Sequence, residues 1–224
     1  MTKFWYMDIK VNANVSIVFD LDDTLYNEFE FLKSAYREIA FRLDSNNWLE
    51  LYAKMLSLYR SERNVFDFLS KEYQLQKKDL IKSYREHLPD IQLFPNVLEF
   101  FERIKDKQGY IGIITDGRKE TQSNKIKALG IEKYIDYTVI SEEIGSEKPS
   151  EKNFKAIEKH LKTNTFMYIA DNLKKDFLTP KLLGWKTLAL VDNGLNIHNN
   201  TYQYSRPQFR PDNYFVAFKD LRVV

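Results

Sequence analysis

The sequence of 224 residues contains no cysteine and only seven glycines, and every glycine lies at or after Gly109. The absence of cysteine excludes a disulfide scaffold, a thiolate metal site and a cysteine nucleophile. No hydrophobic run approaches the ~20 residues that a membrane-spanning helix needs, and the N-terminus lacks the apolar core of a signal peptide. We therefore expect a cytoplasmic protein without a membrane partner.

The charges are nearly balanced, with 34 lysine and arginine residues, 32 aspartate and glutamate residues and a formal net charge of +2. Because both signs are interspersed along the chain, a nucleic-acid partner is not expected. Hydrophobic residues make up 43% of the chain and aromatic residues 15%, which is enough apolar material for a core and excludes a wholly disordered chain. The length allows one large domain or two smaller ones, at ~100–200 residues per domain.

The stretch without glycine predicts a block of helices. Residues 28–90 are rich in leucine, lysine, glutamate and aromatic residues, and their apolar side chains recur at helical spacing in four successive segments. Pro89 and Pro95 mark the end of the block. Because strand patterns lie on both sides of it, we predict an α-helical domain of residues 28–90 inserted into a second domain, which consists of residues 1–27 and 91–224.

Around this block the sequence alternates between strands and helices. The first strand pattern is Val15–Phe19, whose unbroken apolar run is typical of a strand that is buried on both faces. Further strands are predicted at Tyr110–Thr115, Tyr137–Ile140, Phe166–Ala170 and Lys186–Val191, with intervening helices that include residues 118–129. The alternation predicts an α/β fold, with a doubly wound parallel sheet covered by helices on both faces.

Several finer features are also predicted. Asn96, with Glu99 three residues later, and Ser150 are expected to cap helices. Residues 1–14 fit a short edge element or a loose tail, residues 193–210 a loop, and Tyr214–Phe218 a last edge strand. The three histidines have no clustered ligand spacing and are predicted to be structural or surface residues: His87, His160 and His198.

The predicted strands end in acidic or hydroxyl residues. Asp20 and Asp22 come after the first strand, Thr115 and Asp116 come at the end of the second, and Asp171 comes after the fourth. Parallel sheets bind ligands outside the carboxyl ends of their strands. Each of these residues alone is more often a helix cap or a turn residue, but several at one sheet edge favour a binding site.

These residue types suit phosphate chemistry with Mg²⁺. The cation prefers oxygen ligands, and Asp20 and Asp171 offer carboxylates. Thr115 offers a hydroxyl to a phosphate oxygen, and Lys148 offers a positive charge to the transferred phosphoryl group. Asp20 can attack phosphorus to form an aspartyl-phosphate, and Asp22 can reach the leaving-group oxygen as a general acid. Such an acid needs a pKa near the working pH, which we expect a neighbouring carboxylate to raise and Mg²⁺ to oppose.

Four short motifs occur in order along the chain: DLDDT at 20–24, ITDG at 114–117, EKP at 147–149 and ADNLKKD at 170–176. Together they resemble the four motifs of the haloacid dehalogenase superfamily, and the resemblance extends from about Val15 to Val191. It implies a Rossmann-like parallel sheet with an α-helical cap inserted after the first strand, here residues 28–90. One departure is Ala170, because the family usually has glycine before the acidic residue.

The resemblance also implies roles for individual residues. Asp20 is the nucleophile and a metal ligand, and Asp22 is the acid/base residue, whose backbone carbonyl also binds Mg²⁺. Asp171 completes the metal site, which Asp176 supports or weakly ligates. The remaining catalytic residues are Thr115 and Lys148. The residues expected to bind the substrate are Thr115, Asp116, Gly117, Arg118 and Lys148.

The function implied by the resemblance is Mg²⁺-dependent hydrolysis of a small phosphorylated metabolite, either a sugar phosphate or a nucleoside monophosphate. A sugar phosphomutase is an alternative, because its core chemistry is the same, and a binding protein without activity is another. Asp22 argues against a dehalogenase, which usually lacks an acid at this position. The candidates for selecting the substrate include Arg60 and Arg63 of the helical block and Arg118 after the second motif.

Overall fold

A computed structural model describes residues 6–224 of the chain. Its strands are β1 (Met7–Ile9), β2 (Val15–Phe19), β3 (Tyr110–Thr115), β4 (Tyr137–Ile140), β5 (Thr165–Ala170), β6 (Lys186–Leu190), β7 (Asn213–Phe215) and β8 (Leu221–Val223). Its α-helices are α1 (Glu28–Leu43), α2 (Trp48–Arg60), α3 (Val65–Glu72), α4 (Lys77–Glu86), α5 (Val97–Asp106), α6 (Lys119–Ala128), α7 (Ser141–Ile144), α8 (Glu151–Leu161) and α9 (Leu178–Leu182). Within this described range, no helix combines the length and the apolar character that crossing a membrane requires.

Six strands form one parallel sheet in the order β4-β3-β2-β5-β6-β7. The chain passes from β2 to β3 and β4 on one side, and then places β5 on the other side of β2. The strand order therefore reverses at β2, and reversals of this kind form ligand-binding crevices at the carboxyl ends of the strands. The predicted α/β fold with a doubly wound parallel sheet is confirmed.

Strand β2 lies at the centre because all five of its residues are buried. Phe19 belongs to the hydrophobic cluster on one face of the sheet, where its ring lies 4.9 Å from that of Phe101 on α5. Its neighbour Val18 belongs to the cluster on the other face, together with Phe154 of α8. Successive side chains thus alternate between two covered faces, and polar side chains find room where the strands end.

Helices α1–α4 occupy residues 28–86 and surround a hydrophobic cluster of their own. Leu32, Tyr36, Met55 and Leu69 are buried in it, at the helical spacing that the sequence predicts. Tyr84 of α4 packs against both this cluster and the cluster on one face of the sheet. The helical block therefore has its own core and a shared boundary with the sheet.

Two predicted local features are wrong. Asn96 does not cap α5 with its side chain, because its backbone is left-handed (φ +69°) and its amide donates instead to Glu99 Oε2 at 3.1 Å. The last strand of the sheet is Asn213–Phe215 and not Tyr214–Phe218. It ends early because the Asp220 carboxylate accepts a hydrogen bond from Ala217 N and closes a turn.

Met7–Ile9, the last strand and the long loop are more regular than the sequence suggests. Of the first 14 residues, 1–5 lie outside the described part, and β1 pairs with β8 in a separate two-stranded parallel sheet. The predicted loop of residues 193–210 contains two short 3₁₀ helices, Thr201–Tyr204 and Pro207–Phe209. Ser150 caps α8 as predicted, since its side chain accepts a hydrogen bond from Lys152 N.

Candidate active site

The candidate site lies at the carboxyl edge of the sheet, where the strand order reverses. Asp20 follows β2, Thr115 ends β3 and Asp171 follows β5, so three neighbouring strands each place a polar side chain there. A small cavity of about 140 Å³ lies between them. The predicted site residues that line it are Asp20, Asp22, Thr115, Asp116, Lys148 and Asp171. His198, for which no site role was predicted, lines it as well.

Lys148 is the central cation of this cavity. Its Nζ lies 2.7 Å from Asp20 Oδ1 and 2.8 Å from Asp176 Oδ1, and its side chain is only 4% exposed. Burial would lower the pKa of Lys148, but the carboxylates of Asp176 and Asp20 outweigh burial and hold it well above the ordinary value. The ammonium is therefore a fixed positive charge beside the Asp20 carboxylate.

Three acidic side chains crowd together at the bottom of the site. Carboxylate oxygens of Asp20, Asp171 and Asp176 all lie within 4.8 Å of one another. Burial, with help from neighbouring carboxylates, raises the pKa of Asp20 to about 7 and that of Asp171 well above its ordinary value. Ionisation of all three acids would leave more negative charge than Lys148 balances, and the raised pKa values of Asp20 and Asp171 reflect that cost. A buried set of hard oxygen donors of this kind fits Mg²⁺, whose charge would let the acids ionise.

Asp176 has more protein partners than either of the other two acids. Oδ1 accepts hydrogen bonds from the Tyr168 hydroxyl at 3.2 Å and from Lys148, and Oδ2 accepts one from Asn172 N at 3.1 Å. Asp171 accepts one bond at each oxygen, from the Thr24 hydroxyl to Oδ1 at 3.4 Å and from Asn196 Nδ2 to Oδ2 at 2.9 Å. Asp20 and Asp171 thus have fewer protein partners than Asp176, which favours these two as carboxylate donors to a cation.

The Asp22 carboxylate turns away from the acidic cluster and towards α6. Lys125 Nζ lies 2.7 Å from Oδ1, Gln122 Nε2 donates to Oδ2 at 2.9 Å, and the Tyr26 hydroxyl donates to Oδ1. Burial would raise the pKa of Asp22, but the charge and hydrogen bond of Lys125, with the bonds from Tyr26 and Gln122, hold it below the ordinary value. The expected rise in this pKa is therefore wrong for the free protein, because Lys125 and these hydrogen bonds outweigh burial.

Gln122 and Lys125 are not among the residues that the sequence predicts for the site, although their spacing contains a pattern that could have revealed them. Ile126 of α6 and Leu129, which directly follows the helix, form an apolar stripe, and Gln122 and Lys125 precede them by four residues each. Residues four apart share one face of a helix, so these two continue the buried stripe with polar groups. A helix after β3 begins at the carboxyl edge of the sheet, and its buried polar residues therefore lie beside the site.

The second motif forms a hydrogen-bonded loop around Gln122. Gln122 Nε2 lies 2.5 Å from the Thr115 hydroxyl oxygen and 2.9 Å from the Asp116 carbonyl oxygen, so its two protons are shared among these oxygens and Asp22 Oδ2. The Asp116 carboxylate accepts from Lys148 N at 2.9 Å, which ties the second motif to the third. Gly117 has φ +136°, a conformation that residues with a side chain rarely adopt. Thr115 and Lys148 are thus fixed relative to each other.

Arg118 lies outside the small cavity. Its guanidinium pairs with Glu142 at 2.5 Å, is largely exposed and lines a second, larger cavity of about 810 Å³. The helical block contributes Glu28, Phe31, Tyr84 and Arg85 to the lining of this second cavity. Arg60 and Arg63 do not line either of the two cavities, and Arg60 lies instead over the ring of Phe29. Burial and the nearby Asp22 carboxylate raise the pKa of Glu28 to about 8.

A family model matches most of the chain. It describes haloacid dehalogenase-like hydrolases and covers residues 17–190, which include all four sequence motifs. The match also spans the helical block that follows β2. Both halves of the architecture therefore fall within one known family pattern.

Individual relatives agree with this match. A glyceraldehyde 3-phosphate phosphatase of Methanocaldococcus jannaschii is 30% identical over 192 residues, which are 78% of this chain and 84% of that protein. A second glyceraldehyde 3-phosphate phosphatase, from Methanopyrus kandleri, is 27% identical over 78% of this chain and 83% of its own length. The crystal structure of a phosphatase of the same superfamily from Thermococcus onnurineus has a TM-score of 0.60 and 21% identity, and covers 92% of this chain and 94% of that one. That last likeness concerns the fold.

Proposed function

The chain belongs to the haloacid dehalogenase-like hydrolase family and is a phosphatase, and we propose that it hydrolyses the phosphate monoester of a small sugar phosphate with Mg²⁺ as cofactor. One observation carries the proposal. Asp20, Thr115 and Lys148 come from three separate segments and line one small cavity at the reversal point of the sheet. A nucleophile, a phosphate-binding hydroxyl and a fixed cation are what phosphoryl transfer needs.

The residues present fit the cation. We assign the carboxylates of Asp20 and Asp171 and the backbone carbonyl of Asp22 as its protein ligands, with Asp176 holding Lys148 behind them. When bound, Mg²⁺ supplies positive charge that offsets the crowded carboxylates and the substrate phosphate. This assignment is supported by the spacing of the acidic oxygens and by the raised pKa values of Asp20 and Asp171.

In the first half of the reaction the Asp20 carboxylate attacks phosphorus. A bond forms between Asp20 and phosphorus, the bond from phosphorus to the leaving-group oxygen breaks, and an aspartyl-phosphate remains. Lys148 stabilises the developing negative charge, and Thr115 donates its hydroxyl to a phosphate oxygen. In the second half water attacks this phosphorus, releases inorganic phosphate and restores the Asp20 carboxylate.

Asp22 moves the protons in both halves. Its lowered pKa in the free protein suits the second half, in which the carboxylate takes a proton from the attacking water. In the first half it must give a proton to the departing oxygen. A phosphate dianion bound beside it raises its pKa by charge repulsion, which favours the protonated form at that stage.

We propose that residues 28–90 act as a cap over the site. Four residues of the helical block line the larger cavity: Glu28 and Phe31 of α1, and Tyr84 and Arg85 of α4. Residues of the sheet domain line the rest of it. This cavity adjoins the small one through Asp22 and Asp116, so the leaving group of a bound substrate would occupy it. Movement of the cap about residues 26–29 and 89–95 would exclude water during transfer.

We place glyceraldehyde 3-phosphate first among the substrates to be tested, because the matching proteins of Methanocaldococcus jannaschii and Methanopyrus kandleri act on it. The experiment measures release of inorganic phosphate from this compound, hexose monophosphates and nucleoside monophosphates, with Mg²⁺ or with excess EDTA. Phosphate release from sugar phosphates that EDTA abolishes is expected.

The matched controls are Asp20→Asn, which should be inactive, and Asp106→Asn, which alters an exposed acid at the end of α5 and should keep full activity. Conversion of one sugar phosphate isomer into another without phosphate release would identify a phosphomutase. A preference for nucleoside monophosphates would contradict the proposed substrate class, and turnover unchanged by EDTA would contradict the cofactor.

A further inference from the structure

The loop of residues 192–198 follows β6 and returns to the candidate active site. Asn196 Nδ2 donates a hydrogen bond to Asp171 Oδ2 at 2.9 Å, and Ile197 N donates one to Asp23 Oδ2 at 2.8 Å. The next residue, His198, lines the small cavity. The loop lies outside the four motifs and after residue 190, where the match to the family model ends.

The loop is held in shape by its own side chains. Asp192 Oδ1 accepts hydrogen bonds from Gly194 N at 2.7 Å and from Asn196 N at 3.3 Å. Gly194 has φ +88°, which lets the chain turn tightly here. Asn193 exchanges two amide hydrogen bonds with Asn27, at 2.9 and 3.2 Å. The position of Asn196 is therefore fixed by the loop and by an anchor at the start of α1.

The bond from Asn196 is the shorter of the two side-chain hydrogen bonds on Asp171. The other, from the Thr24 hydroxyl to Oδ1, measures 3.4 Å. A donor on one oxygen of a carboxylate fixes the rotation of the whole group, and the partners of metal ligands tune the affinity of the metal in this way. Asp171 is buried, so little water competes with this donor for the orientation of the carboxylate.

We propose that Asn196 is a positioning residue for Asp171 and that the 192–198 loop thereby sets the affinity of the site for Mg²⁺. The inference rests on the proposed function, in which Asp171 is a cation ligand. In the proposed mechanism, Asn196 contacts neither the substrate nor the reacting atoms. Loss of its amide should therefore weaken cation binding and leave the chemical step intact once the cation is bound.

The test is a calorimetric titration of the metal-free protein with MgCl₂. Asn196→Leu keeps the size of the side chain and removes the amide, and Asn196→Ala serves as a second variant. Both should raise the Mg²⁺ dissociation constant by about 10–100-fold, the usual effect of losing such a partner. At saturating Mg²⁺, kcat should stay within about threefold of the wild-type value.

Asn199→Leu is the matched control, because it makes the same substitution at an exposed asparagine just after the loop and leaves the Asn196 amide in place. Its Mg²⁺ affinity should stay within about threefold of wild type. The inference is overturned if wild-type protein and both Asn196 variants bind Mg²⁺ equally, or if Asn199→Leu weakens binding as much as they do. A wild-type protein that binds no Mg²⁺ would instead overturn the proposed cofactor, and this inference with it. Thermal unfolding shows separately that each variant is folded.

Discussion

Lys125 Nζ lies 2.7 Å from Asp22 Oδ1, and the lysine side chain is 4% exposed. The same ammonium lies 4.5 Å from the centre of the Phe31 ring and 4.0 Å from Glu28 Oε1. A buried cation on α6 therefore contacts the first motif and two residues of α1 at once. Lys125 therefore links the sheet domain to the helical block. It is also the partner that keeps Asp22 ionised.

The first prediction concerns the stability that this link provides. Lys125→Met keeps the length of the side chain and leaves the Asp22 carboxylate, which is 18% exposed, without its cation. The free energy of unfolding should fall by about 1–3 kcal/mol, because a mostly buried charge has lost its partner. Urea denaturation at neutral pH measures the change. Lys127→Met alters an exposed lysine on the same helix and should change the free energy by less than about 0.5 kcal/mol. Equal values for the two variants would contradict the link.

The sequence predicted the parallel sheet because its strands are unbroken apolar runs that end in polar residues, as at Phe19 and Asp20. Local patterns of this kind need no knowledge of distant contacts. The spacing on α6 could show that Lys125 lies beside the site, but it could not show that Lys125 pairs with Asp22 or that Asn196 bonds to Asp171. Lys125 lies 103 residues from Asp22, and Asn196 lies 25 residues from Asp171 across a loop without a motif. These pairs depend on how the elements are arranged in space, and they set the electrostatics of the site.

The second prediction concerns Lys148. Lys148→Met removes the positive charge beside Asp20 and retains the bulk of the side chain. Turnover should fall by about 10²–10³-fold, because a fixed donor directed at developing charge is lost. Steady-state kinetics at saturating substrate measure this, and urea denaturation checks the fold. Lys155→Met changes an exposed lysine on α8 and should be neutral. A loss of twofold or less for Lys148→Met would mean that this lysine only serves the local structure.

The third prediction concerns substrate choice by the helical block. Arg85 lines the larger cavity, whereas Arg63 does not. Arg85→Ala should therefore change the order of kcat/KM values across a panel of sugar phosphates, and Arg63→Ala should leave the order unchanged. Replacement of Asp20 should abolish activity on every member of the panel, since it removes the nucleophile. If Arg85→Ala changes kcat/KM by the same factor for every substrate, Arg85 does not select the leaving group.

The fourth prediction is a dependence of stability on pH that comes from His87. His87 is 6% exposed, and the centre of its ring lies 4.7 Å from the centre of the Phe31 ring. Its Nδ1 is hydrogen-bonded to the Tyr84 carbonyl. Burial lowers the pKa of His87 below 6.5, with Lys125 acting in the same direction and Glu38 against it. As the pH falls below 6.5 the unfolded chain takes up this proton first, so stability that is present above pH 6.5 is lost below it.

Urea denaturation at pH 7.5 and pH 5.0 measures this effect. Between the two values, the wild-type protein should lose more unfolding free energy than His87→Phe, which cannot take up the proton. His160→Gln changes an exposed histidine and should follow the wild type. Equal losses of unfolding free energy in the wild type and in His87→Phe would show that His87 does not cause the acid sensitivity.

The fifth prediction tests the two proton transfers by Asp22. Asp22→Asn keeps the shape of the side chain and removes its acid/base chemistry, so hydrolysis of a sugar phosphate should slow by about 10²–10⁴-fold. With p-nitrophenyl phosphate the departing phenolate is already stable, so formation of the aspartyl-phosphate should slow much less than its hydrolysis. The aspartyl-phosphate on Asp20 should then accumulate, and rapid mixing should show a burst of nitrophenol of up to one equivalent per enzyme. The wild-type protein, in which Asp22 still activates water, should show a smaller burst or none. If the variant slows both substrates by the same factor without a burst, Asp22 does not transfer protons. Its bonds to Lys125 and Gln122 would then serve only to hold the first motif in place.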